Sequence, residues 1–241
     1  MPEYSYEDVA KMIDHSLLNP TLSTSDLDAG IDLALAYNVA SVCIMPYYVQ
    51  TLSERLQGST IKNSTTIGFP HGGHTTVVKR AEAEQAIADG CEELDMVVNI
   101  SKVLSGDFGY VRDDIGAVIE VAHTAGQKVK VIFENCYLND EQKSRLCEIC
   151  SELNADWVKT STGYGTGGAT HDDLKLMRRC SADHVQVKAA GGVRDIDALL
   201  AVRELGVTRC GASRTNTMMD EARKRLELEP INVSATNSVG Y

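Results

Sequence analysis

The chain has 241 residues, 43% of them hydrophobic, and carries 34 acidic against 23 basic side chains for a formal net charge of −11. That length suits one domain with a full core, and an acidic balance without clustered Lys and Arg excludes a surface for nucleic acid or anionic membrane. No stretch approaches the ~18 apolar residues of a membrane span, and Met-Pro-Glu-Tyr-Ser-Tyr-Glu-Asp is no basic start to an apolar run, so a cytoplasmic protein is expected.

Eight short strand-like runs begin near Ile13, Ala40, Ser64, Glu92, Lys128, Ala155, His184 and Thr208, at spacings of roughly 24 to 36 residues. Helical patterns fill the gaps over Ser25–Tyr37, Thr75–Asp89, Tyr110–Thr124, Asp140–Leu153, His171–Arg179, Asp195–Leu205 and Asn216–Leu226. Several open on a capping Ser, Thr, Asp or Asn, and three stop before Gly90, Gly126 and Gly206. This rhythm predicts an α/β protein with a parallel sheet, and eight units suffice to close a single (β/α)8 TIM barrel over residues 1–228. Residues 229–241 have no periodicity and are expected to form a flexible C-terminal tail.

In chain order, the first run places Asp14 early in a strand, where it could hold a lysine or cap a turn. The second ends with Cys43, a residue type most often small and buried. After the third, Phe69-Pro70-His71-Gly72-Gly73-His74 offers two histidines, but no Asp, Glu or Cys stands beside them at a familiar ligand spacing. A loop cap is the better reading, and no metal is expected. The fourth run buries Asp95, which must find a cation or a hydrogen bond; it could shuttle protons, or simply pair with Lys130 or Lys188. Lys130 lies in the fifth run. Cys147 and Cys150 have CxxC spacing, but within a helical pattern and without a second pair, so they read as core. All seven cysteines are scattered, which fits reduced thiols.

The sixth and seventh runs carry the strongest signal. Trp157-Val158-Lys159 leads into Thr160-Ser161-Thr162-Gly163, and Val185-Gln186-Val187-Lys188 leads into Ala189-Ala190-Gly191-Gly192. A lysine in an apolar strand is costly unless something uses it, and barrel enzymes place reactive groups at strand C-termini. An amine attacks a carbonyl only when neutral; burial or a second ammonium lowers its pKa from the ordinary ~10.4. Neighbouring Lys159 and Lys188 would supply nucleophile and pKa-lowering partner, although spacing alone leaves Lys130 open as the nucleophile. Glycines at Gly163–Gly168, Gly191-Gly192 and Gly211, the last followed by Ala212-Ser213, sit on the three late loops where barrels often bind phosphate.

These motifs together resemble the deoxyribose-phosphate aldolases. Ile13-Asp14-His15-Ser16-Leu17-Leu18, Ser41-Val42-Cys43-Ile44, Ile67-Gly68-Phe69-Pro70-His71-Gly72, Glu93-Leu94-Asp95-Met96-Val97, Val158-Lys159-Thr160-Ser161-Thr162-Gly163 and Val187-Lys188-Ala189-Ala190-Gly191-Gly192-Val193-Arg194 carry the likeness over nearly the whole chain. The resemblance implies a TIM barrel without cofactor that reversibly cleaves 2-deoxy-D-ribose 5-phosphate to D-glyceraldehyde 3-phosphate and acetaldehyde. It implies that Lys159 forms the imine, Lys188 lowers its pKa and Asp95 relays protons. It further puts Asp14 in the lysine network, Cys43 against the aldehyde, and Gly163, Gly191, Gly192, Gly211 and Ser213 around the phosphate. A homodimer is also implied. Tyr164, Arg214 and Asn19 depart from the family pattern, and the terminal Tyr241 is a candidate proton relay.

Overall fold

The computed structural model describes residues 4–231, so Tyr241 and most of the expected tail lie outside the described residues. Among the described residues there are eight strands: β1 (Ile13–Leu17), β2 (Ser41–Ile44), β3 (Lys62–Ile67), β4 (Glu93–Val97), β5 (Lys128–Ile132), β6 (Trp157–Lys159), β7 (Gln186–Ala190) and β8 (Val207–Ala212). They are parallel, pair in chain order and close through β8 onto β1, where Asp14 faces Gly211. Each begins within two residues of its predicted start.

Ten α-helices surround them among the described residues. Seven match the predicted ones: α2 (Thr24–Tyr37), α4 (Thr76–Ala88), α6 (Phe108–Thr124), α7 (Asp140–Glu152), α8 (His171–Cys180), α9 (Ile196–Glu204) and α10 (Thr215–Arg225). Three were not anticipated: α1 (Tyr6–Ala10), α3 (Val49–Arg55) and α5 (Ile100–Leu104). Ser23 and Asn139 cap α2 and α7 through reciprocal bonds with Asp26 and Gln142, satisfying the otherwise orphaned first-turn amides. Between α4 and α6, Lys79 and Asp114 form a fully buried pair at 2.5 Å, and Lys79 also donates to the Val97 carbonyl at 2.8 Å.

Side chains alternate along each strand, one set toward the helices and one toward the barrel axis. The outward set is mostly apolar: Ile13, Val42, Leu94, Met96, Val129, Val131, Val158 and Val187 are buried under the helices. The axial set is not the stack of branched aliphatics usual for this fold. Asp14, Glu93, Asp95, Lys130, Lys159, Lys188 and Arg209 occupy it instead, all but Arg209 buried. Trp157 closes the lower end of the axis, its indole N–H donating to the Thr208 hydroxyl at 3.1 Å.

Candidate active site

Strand register brings the charged side chains together: Asp95 is level with Lys130, Lys159 with Lys188, and Lys188 with Arg209. One oxygen of Asp95 receives both Lys159 Nζ, at 2.6 Å, and Lys188 Nζ, at 2.7 Å. The other oxygen accepts from Lys130 Nζ at 3.0 Å. Lys188 also meets Asp14 at 2.6 Å, and Lys130 meets Glu93 at 2.6 Å and Asp14 at 3.4 Å. Below them Arg209 spans Asp14 at 2.6 Å and Glu93 at 2.9 Å.

The amines differ in electrostatic setting. Burial pushes the Lys159 pKa down; the Asp95 carboxylate works against that shift and the neighbouring Lys188 ammonium adds to it. Burial opposes the Lys188 ammonium too, but Asp14 and Asp95 outweigh it and hold its pKa above the ordinary lysine value. Lys130 is likewise buried, yet Asp14, Asp95 and Glu93 hold it well above that value. Asp95 stays ionised because the positive charge of its lysine partners overcomes the cost of burial. Burial is thus the largest cause of the shift on Lys159, with the Lys188 charge a smaller one in the same direction.

A cavity of about 540 Å³ opens at the C-terminal ends of the strands. Lys159, Lys188, Asp14 and Cys43 form its floor and wall, and Gly163, Gly191, Gly192, Gly211 and Ser213 line its late-loop side. Asp95 and Lys130 do not line it, lying beneath the two lysines. This separates the amines the sequence left open: Lys159 reaches the cavity and Lys130 does not. Burial raises the Cys43 pKa, so the thiol is neutral at the cavity wall.

The loops after β6 and β7 meet backbone to backbone. A Cβ on Gly168 would fall 2.5 Å from the Gly191 carbonyl, so only glycine fits there, and Gly191 and Gly192 take positive φ values of 75° and 94°. Arg194 and Arg214 are exposed on the same rim. The hydroxyl of Tyr164 donates to the Leu18 carbonyl at 2.9 Å, and its ring meets Phe69 edge-on at 5.5 Å, which ties the loops after β1, β3 and β6 together.

Sequence reasoning missed Glu134, Thr162, Glu93 and Arg209. Glu134, at φ 59°, is buried at the C-terminal end of β5 and accepts from the Thr162 amide at 3.2 Å and from its hydroxyl. An acid ending an apolar strand was the available signal. His71 and His74 are exposed after β3, and no group of three potential metal ligands converges among the described residues. Cys147 and Cys150 are buried free thiols in α7.

The sequence pattern of the DeoC/LacD family aldolase matches residues 8–212. A deoxyribose-phosphate aldolase of Rhodopirellula baltica is 68% identical over 241 residues, covering 100% of both chains. Among solved structures, QR15, an aldolase, superposes with a TM-score of 0.86 at 35% identity, covering 92% of this chain and 99% of that one. A deoxyribose phosphate aldolase from Aeropyrum pernix, described as tetrameric, gives 0.84 at 29% identity, covering 92% and 93%.

Proposed function

The chain belongs to the DeoC/LacD aldolase family, and from that premise we propose that it is a deoxyribose-phosphate aldolase in which Lys159 carries the substrate as a Schiff base. The observation that carries this reading is the pairing of Lys159 and Lys188 on one Asp95 oxygen at the floor of a cavity walled by glycine loops.

In the cleavage direction, neutral Lys159 Nζ adds to the C1 aldehyde of open-chain 2-deoxy-D-ribose 5-phosphate, and loss of water leaves the protonated imine. Removal of the C3 hydroxyl proton turns C3 into the aldehyde of D-glyceraldehyde 3-phosphate. The electrons of the C2–C3 bond then move into a C1–C2 double bond, and the imine nitrogen becomes neutral. Protonation of this enamine at C2 and addition of water at C1 release acetaldehyde and restore Lys159. Lys188 keeps its proton, and that charge disfavours a second ammonium beside it. Asp95, which stays ionised below the lysines, exchanges protons with the reacting centre through them or through a water. Gly163, Gly191, Gly192, Gly211 and Ser213 offer backbone and hydroxyl donors to the phosphate, and Asp14 holds Lys188.

Borohydride reduction with acetaldehyde followed by peptide mapping tests the assignment. A label on Lys159 is expected, and Lys159→Ala should abolish both label and turnover; a label on Lys130 or Lys188 would overturn it. The proposal extends to a cytoplasmic homodimer, which sedimentation would distinguish from the tetramer described for the Aeropyrum pernix relative. No helix among the described residues is long and apolar enough to cross a membrane.

A further inference from the structure

The ionic lattice that floors the cavity reaches the other end of the barrel. A second cavity, of about 490 Å³, opens on the N-terminal face, and Glu93, Trp157 and Arg209 line it. Arg209 touches this lower opening and also binds Asp14, which lines the upper one. An irregularity in the β7–β8 register puts it there: Val187 faces Val207, but the next residue, Lys188, faces Arg209. Thr208 is the extra residue of this irregularity, and in an unbroken register Thr208, not Arg209, would face Lys188.

Among the described residues, the connected ion pairs along the barrel axis join four cations, Lys130, Lys159, Lys188 and Arg209, to three anions, Asp14, Glu93 and Asp95. With every group ionised the lattice has one positive charge in excess. Lys130 contacts three of the carboxylates, while Lys188 and Arg209 contact two each. Among the described residues Lys159 has an ion pair with Asp95 alone, so it is the least compensated amine. Arginine cannot give up its proton in this range, which leaves the lysines to do so.

We propose that Arg209, from the end of the barrel remote from substrate, sets the charge balance that keeps Lys159 neutral: its fixed cation occupies Asp14 and Glu93, and the surplus proton leaves Lys159. It is a positioning residue, acting through Asp14, Glu93 and Lys130. This inference rests on Lys159 being the imine-forming amine. The charged and titratable groups facing Lys159 are Asp95 on β4, Lys188 on β7 and Cys43 on β2. Those facing Arg209 are Asp14 on β1, Glu93 on β4, Lys188 on β7, and the Trp157 ring on β6 at 5.1 Å, with Lys130 and Lys11 nearby.

The test is the pH dependence of acetaldehyde trapping by borohydride on the full chain, read at the Lys159 peptide. Arg209→Met removes the surplus charge and should move the midpoint upward by about one pH unit. Glu93→Gln adds to the surplus and should move it downward by a similar amount, and the double variant should return it near the starting value. A purely structural role would not produce shifts of opposite sign. Unchanged midpoints, or single-variant shifts in the same direction, would overturn the inference. If Arg209→Met does not fold, the Glu93→Gln shift decides alone. Absence of label on Lys159 in the unaltered protein would instead count against the imine assignment itself.

Discussion

Replacing Lys188 by leucine deletes a cation that shares an Asp95 oxygen with Lys159. Asp95 is then freer to hold the Lys159 ammonium, so the midpoint of imine formation should rise, by on the order of one pH unit, in trapping or kcat/KM profiles. An unmoved midpoint would remove Lys188 from its assigned part. The two glycine-flanked lysines were legible because a cation in an apolar strand is rare enough to be noticed. Lys130 is the instructive contrast. Its local sequence looks equally reactive, and only its depth and its three carboxylate contacts separate it from Lys159. Arg209 was hidden for a related reason: it sits after Thr208 in a run whose alternation is broken by the bulge, so its inward direction follows from register and not from pattern.

At the scale of single elements, β-branched runs and capping residues located every strand and the seven longer helices. Two of the helices that escaped, α1 and α5, have five residues each, and a helix that short is marginal alone and shows no periodicity. For α1 the Ser5 and Asp8 capping box was a readable cue. The Lys79–Asp114 pair was not readable, since its partners stand on separate helices and only packing makes them neighbours. Lys79→Met would strand the Asp114 carboxylate in the interior at a cost of about 3–5 kcal/mol, seen as a lower urea midpoint. Removing both charges in Lys79→Met/Asp114→Leu should recover most of that loss, because no buried ion is left unpaired.

For the whole molecule, folding places a neutral His15 in the interior, its Nδ1 bonded to the Thr215 hydroxyl at 2.8 Å, and burial lowers its pKa from 6.5 to about 4. The unfolded chain therefore binds this proton more readily than the folded one between those two values, and stability must fall as pH drops through the window. The loss from this one group approaches roughly 3 kcal/mol near the lower end. Calorimetric Tm should decline from pH 7 toward pH 4, and His15→Gln should flatten that decline. The contact between Gly168 and Gly191 has a different consequence. Where those two loops meet, the cavity wall is main chain locked against main chain, so that stretch offers an engineer no side chain to trim. Altering which aldehydes the enzyme accepts must start away from that contact, at Leu18 or Cys43, where substitution can reshape the space without prising two loops apart.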